Sequence, residues 1–162
     1  LIIVHSFSKV FGLAGLRLGY AIAPAKIAQY LSRARLPFHL NKLALVAGVA
    51  GLQDRDHIEE TVSLVVNGRE QLYSAMQAIP QIEVWPTEAN FLLFKPAGDA
   101  KAIAAQLQQR GTIVRELSAF YLPGYLRVSV GRPEQNERFV RDLTAVVKTW
   151  PGQGRDTMPT RQ

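Results

Sequence analysis

Two short apolar runs, Leu1 to Val4 and Leu18 to Ala23, flank a stretch of small and glycine residues. That stretch reads Ser6-Phe7-Ser8-Lys9-Val10-Phe11-Gly12-Leu13-Ala14-Gly15-Leu16-Arg17-Leu18-Gly19. A short apolar run bounded by turn residues reads as a buried strand. The two runs are therefore expected as a hairpin-like pair or as neighbours in one sheet. Lys9 is the only lysine before position 26. An amine at the end of a buried strand is costly unless it meets a partner or does chemistry.

A solvated loop explains a lone lysine near glycines. It does not explain two serines before the lysine and an arginine after it in one short stretch. A phosphate binder uses hydroxyl donors and the fork of an arginine. Glycines let backbone approach a ligand closely. An amine beside such a site is placed to form a Schiff base with an aldehyde cofactor. Pyridoxal 5'-phosphate carries both an aldehyde and a phosphate. Ser6 to Gly19 resembles the cofactor-lysine signature of fold-type I aminotransferases, Ser-x-Ser-Lys-x-x-Gly-Leu-x-Gly-x-Arg-x-Gly, with every restricted position filled. The resemblance implies Lys9 as the catalytic amine, Arg17 as the phosphate clamp, and Ser6 and Ser8 as further phosphate donors.

Beyond the lysine stretch, Pro24 suits the start of a helix running to about Ala34, and Asn41 can cap a second helix ending near Leu52. Asp56 and Glu59 have capping-box spacing and are expected to open the longest helix, to about Ile79, with Pro80 ending it. Arg69 interrupts that helix's apolar stripe, either snorkelling its stem along the apolar face or making a buried pairing at a domain junction. Ile82–Trp85, Asn90–Phe94, Thr112–Arg115 and Tyr125–Val130 read as strands. Asp99 opens a helix through Ile103 and Leu107 with Gly111 as its cap, and Pro133 opens the last helix. Along Tyr125–Val130, Leu126, Val128 and Val130 fall on one face and Arg127 on the other.

The segment Leu126-Arg127-Val128-Ser129-Val130-Gly131 resembles the C-terminal arginine motif by which aminotransferases hold a substrate carboxylate or its equivalent. Arg115 lies on a neighbouring strand and either joins Arg127 on an anionic substrate or serves the surface. Leu36-Pro37-Phe38, Glu88-Ala89-Asn90-Phe91, Gly-Thr-Ile-Val-Arg and Pro-Gly-Tyr-Leu-Arg fall in the order seen in histidinol-phosphate aminotransferases. His39 stands where asparagine is usual, and Gly-Arg-Pro at 131–133 replaces the commoner Gly-Thr.

The expected fold class is therefore α/β, of the pyridoxal-phosphate-dependent transferase kind. Residues 1–50 are expected to end a large cofactor domain with a mainly parallel sheet. A long connecting helix over 51–80, a small α/β domain over 81–150 and a disordered tail over 151–162 follow. The expected reaction is amino transfer between histidinol phosphate and 2-oxoglutarate, small-molecule substrates. A threonine-phosphate decarboxylase, an aromatic aminotransferase, or a non-catalytic sensor domain fused to a DNA-binding module are the alternatives. The resemblance also implies a homodimer, and a longer parent that supplies further cofactor ligands before Leu1; the chain alone is expected to be inactive. The 162 residues include no cysteine and carry a net charge of +6 spread without a basic block. That balance gives no sign of nucleic-acid binding, and no apolar run suits a membrane. The absence of cysteine suits a cytoplasmic setting. No histidine spacing suits a metal.

Overall fold

A computed structural model describes residues 1–148 and 150. The chain divides into two compact units, residues 1–63 and 64–162.

The first unit opens with an antiparallel pair, β1 (Ile3–Ser6) and β2 (Gly19–Ile22), in the register Ile3↔Ile22 to Ser6↔Gly19. Helix α1 (Ala25–Ala34) follows Pro24, and α2 (Lys42–Gln53) follows Asn41, whose side chain accepts from the Ala44 amide at 2.8 Å. The expected burial of Leu1–Val4 is wrong for this chain: all four are exposed, Val4 by 75%. An apolar run is buried only where something covers it, and among the described residues the sheet around β1 has β2 as its other strand. The small core of this unit lies behind the strands. Phe7, Leu18 and Ala44 are its buried apolar residues.

Helix α2 is packed small side inward. Ala44 and Gly48 are buried, while Leu43, Val46, Val49 and Leu52 on its other sides are exposed. A Cβ on Gly48 would run into the Leu18 side chain, so glycine here sets how closely helix and strand approach.

Helix α3 (Arg55–Gln77) begins in the first unit and ends in the second. Its capping residue is Asp54, not the expected Asp56. The Asp54 carboxylate accepts from the His57 amide at 3.2 Å. Asp54 is the only residue between α2 and α3, so the helix is already under way at Asp56.

The second unit is a four-stranded antiparallel sheet with helices on one face. β3 (Ile82–Val84), β4 (Phe91–Pro96), β5 (Arg115–Glu116) and β6 (Leu126–Ser129) stand in the order β3-β4-β6-β5. α4 (Ala100–Gln109) starts at Asp99, which accepts from the Lys101 and Ala102 amides. α5 (Pro133–Val147) starts with proline in its first turn. Alternate strand residues Leu92, Phe94, Leu126 and Val128 form one core with Leu72, Met76, Ile103, Leu107, Phe139 and Leu143. Burial of such side chains is worth roughly 1.5–3 kcal/mol each. Arg69 is largely covered along its side chain and meets the exposed Glu88 carboxylate at 2.8 Å within the second unit, so the pair is not a buried pairing at a domain junction, one of the two expectations.

The expected strand Thr112–Arg115 is shorter and later, Arg115–Glu116. Thr112 is held off the sheet. Its amide donates to Leu107 O at 2.9 Å and its hydroxyl to the buried Asp142 carboxylate at 2.7 Å. The expected tail, 151–162, lies outside the described residues. No helix among the described residues is long and apolar enough to cross a membrane.

Candidate functional site

The β1–β2 register determines what lies at one end of the strand pair. Ser6, the last residue of β1, is opposite Gly19, and the Phe7 amide donates to Leu18 O at 3.1 Å. Ser6 to Lys9 and Arg17 to Gly19 are thus adjacent backbone segments. Lys9 sits on a turn closed by the Gly12 amide, which donates to Lys9 O at 2.9 Å, with Gly12 at φ 66°. That conformation costs a side-chain-bearing residue about 1–2 kcal/mol. The Leu13 amide closes a wider loop onto Phe7 O at 3.0 Å. Phe7 is buried and packs at a 35° tilt against Phe11 with ring centroids 4.6 Å apart, so the loop stands on an aromatic footing.

Each expected side chain in this loop has a definite place. Ser6 Oγ accepts from the Ser8 amide at 3.0 Å, which spends a lone pair on shaping the turn and leaves the hydroxyl proton free to donate. Arg17 is exposed at φ 56°, where a short 3₁₀ turn (Ala14–Leu16) ends; one of its Nη groups donates to Ala14 O at 2.7 Å. The rest of its fork has no hydrogen-bond or ion-pair partner among the described residues. Lys9 is exposed, and neither Lys9 nor Arg17 is in an ion pair among the described residues.

The local charge explains why. Lys9, Arg17, Lys26, Arg33, Arg35 and Lys42 precede the first acidic residue of the chain, Asp54. This one-signed stretch was readable in the sequence and is a stronger anion signal than the scattered total of +6.

The second group is in the other unit. Arg115 and Arg127 are direct partners in the β5–β6 ladder, on the sheet face away from the core. With Ile113, Glu116 and Ser129 they line an open groove of about 680 Å³. Each guanidinium lies over an aromatic ring, Arg127 over Phe91 at 5.0 Å and Arg115 over Phe120 at 6.0 Å. Neither has a carboxylate partner among the described residues. Like charges directly opposite in a ladder disfavour the sheet. Two such arginines, backed by rings and left without counter-ions, suit a ligand with two negative charges. Glu116 does not neutralise them. Its carboxylate accepts from the Ser118 hydroxyl at 2.5 Å and the Ser118 amide at 2.9 Å. The hydroxyl bond is the largest of the influences that hold its pKa below the ordinary glutamate value.

Ser6, Ser8, Lys9 and Arg17 are thus brought together in one unit, and Arg115 and Arg127 in the other. One residue of the first group had no sequence signal. His57 Nε2 lies 2.9 Å from Val10 O, the carbonyl directly after Lys9.

Residues 1–143 match the family described as aminotransferase class I and II. The chain is 46% identical over 138 residues to a histidinol-phosphate aminotransferase of Nitratidesulfovibrio vulgaris, covering 85% of this chain and 37% of that protein. It is 44% identical over 146 residues to the Symbiobacterium thermophilum histidinol-phosphate aminotransferase, covering 90% of this chain and 40% of that protein. The chain thus spans well under half the length of these curated relatives. Among solved structures, it is similar to the histidinol-phosphate aminotransferase of Clostridium acetobutylicum, with TM-score 0.85, 25% identity, and coverage of 92% of this chain and 46% of that one. It is also similar to the L-threonine-O-3-phosphate decarboxylase of Porphyromonas gingivalis, with TM-score 0.83, 26% identity, and coverage of 91% and 47%.

Proposed function

From a chain that belongs to the aminotransferase class I and II family, we infer a portion of a pyridoxal-5'-phosphate-dependent histidinol-phosphate aminotransferase with 2-oxoglutarate as amino acceptor. The observation that carries this reading is Lys9: an exposed amine without an ion pair among the described residues, on a glycine turn beside two serines and an unpaired arginine fork.

The residues fit the cofactor. Arg17 offers most of its fork to a phosphate, and the Ser6 hydroxyl keeps its proton for the same group. Lys9 supplies the amine to which the aldehyde attaches. When bound, the cofactor supplies an electron sink for charge that develops at the substrate Cα. The Lys9 amine would be the base that moves a proton at that carbon. Arg115 and Arg127 bind and orient the substrate by its anionic end, and the same pair takes the carboxylates of 2-oxoglutarate. The backing rings limit the directions in which the two forks can turn. The proposal includes a homodimer, for which the family resemblance is the support.

The likeness to a threonine-phosphate decarboxylase favours one second reading, decarboxylation of a phosphorylated amino acid on the same residues. One experiment separates the two. The protein carrying this chain is loaded with pyridoxal 5'-phosphate and given histidinol phosphate with 2-oxoglutarate, or threonine phosphate alone. Glutamate formation with the first pair supports the transferase; carbon dioxide release from the second supports the decarboxylase. Borohydride reduction followed by peptide mapping is expected to mark Lys9, and a mark elsewhere rejects both readings.

A further inference from the structure

The Lys9 turn has three carbonyls with assigned partners. Phe7 O is taken by the Leu13 amide and Lys9 O by the Gly12 amide, both from the loop itself. Val10 O is taken from outside the loop, by the imidazole of His57 at 2.9 Å, from 47 positions further along the chain. We propose that His57 is a positioning residue for Lys9, fixing the peptide after the lysine to the first turn of α3.

Three features support this assignment. A carbonyl oxygen can only accept, so Nε2 must carry the proton, and the ring donates in either charge state. The ring is also anchored at its own base: the His57 amide donates to the Asp54 carboxylate at 3.2 Å, which holds this residue at the start of the helix. Finally, nothing else among the described residues competes for Val10 O. A lysine side chain has four rotatable bonds, so its amine is only as well placed as the peptide that carries it. Gly12 at φ 66° makes this turn compact, but a glycine turn is intrinsically free to open. Phe11 and Leu13 lie against α2 at Gly51, and the imidazole adds a hydrogen bond on the peptide next to the lysine itself. In holding the turn it also links the lysine to the helix that continues into the second unit.

The inference rests on the reading of Lys9 as the cofactor amine, and the test separates the two. Hydrogen exchange and trapping are measured on the protein carrying this chain, for wild type, His57→Leu and His57→Gln. The Gly12 and Leu13 amides are expected to exchange about 3- to 10-fold faster in His57→Leu, the size of one net hydrogen bond. Amides of α2 should be unchanged. The Gln variant, which keeps an N–H donor, should return the loop to near wild-type exchange. Attachment of pyridoxal 5'-phosphate at Lys9, trapped by borohydride, should slow in parallel in His57→Leu and recover in His57→Gln. Unchanged loop exchange, faster exchange spread equally over α2, or unchanged trapping at Lys9 overturns the positioning role. No trapping at Lys9 in wild type, with the exchange effect intact, instead overturns the reading of Lys9. If His57→Leu does not fold, the nitrogen-15 spectrum of the wild-type imidazole decides. A slowly exchanging Nε2–H supports the proposal, and the Nδ1–H tautomer refutes it.

Discussion

Replacing Arg115 with methionine tests whether the paired arginines exist for a ligand or for the fold. The bare chain should scarcely notice. Removing one of two opposed cations relieves roughly 0.2–1 kcal/mol of repulsion. The lost stacking on Phe120, at 6.0 Å the outer limit of such contacts, costs about 0.5–1 kcal/mol. The two largely cancel, leaving a net change within about 0.8 kcal/mol. Ligand linkage should change much more. Inorganic phosphate at ten times its Kd stabilises a one-site protein by about 1.4 kcal/mol. For a unit of this size that raises Tm by roughly 6–11 °C. A charge-assisted fork is worth about 1.5–3 kcal/mol, so Arg115→Met should weaken phosphate at least about tenfold. The same phosphate concentration then gives about 0.4 kcal/mol, or roughly 2–3 °C. Thermal unfolding is followed with and without phosphate at constant ionic strength, with chloride as the screening control. Arg17→Met serves as the background, so that binding beside Lys9 does not mask the groove. Equal phosphate shifts in the two chains, or a loss above about 1.5 kcal/mol without phosphate, would mean that Arg115 is a structural residue.

Two further predictions concern the elements that deliver Arg115. Thr112→Val removes the hydroxyl that donates to buried Asp142, so unfolding in urea should show a loss of about 1.5–3 kcal/mol, recovered by Thr112→Ser; an unchanged midpoint would show that Arg138 alone satisfies that carboxylate. Ser118→Ala removes the main bond that keeps the Glu116 pKa low. Glu116 stabilises the fold above the unfolded carboxylate range and loses that contribution as pH falls through its lower folded value. In Ser118→Ala that contribution should shrink and its loss be complete at a higher pH, visible as an upward shift of the Glu116 side-chain titration by NMR; an unmoved titration contradicts the assignment.

The sequence was most informative where a residue's chemistry acts on its immediate neighbours. Asn41, Asp99 and Pro133 start helices because a short acceptor, or a locked φ without an amide proton, suits a helix start and little else. The Lys9 stretch was legible for the same reason, since its hydroxyls, glycines and arginine lie within one turn of chain. Burial of Leu1–Val4 was not, because an apolar run states only that cover is wanted. The start of β5 was missed because Thr112 is held by Asp142 on α5, a bond across 30 positions. His57 was invisible for a like reason, since no spacing pattern reports a bond to a distant carbonyl. Asp54 and Asp56 offer the same capping chemistry two residues apart, and the end of α2 decides between them.

The two groove arginines are unequal in their freedom to change. Arg127 sits on a central strand between Leu126 and Val128, both buried, so its backbone is fixed by the core on either side. Arg115 sits on a two-residue edge strand whose outer side pairs with no strand among the described residues. A lineage built on this scaffold can therefore exchange residue 115 without repacking its interior, while residue 127 stays put. If the pair anchors substrate as proposed, substrate range would then drift at the sheet's rim, with one anchor held by architecture and the other open to selection.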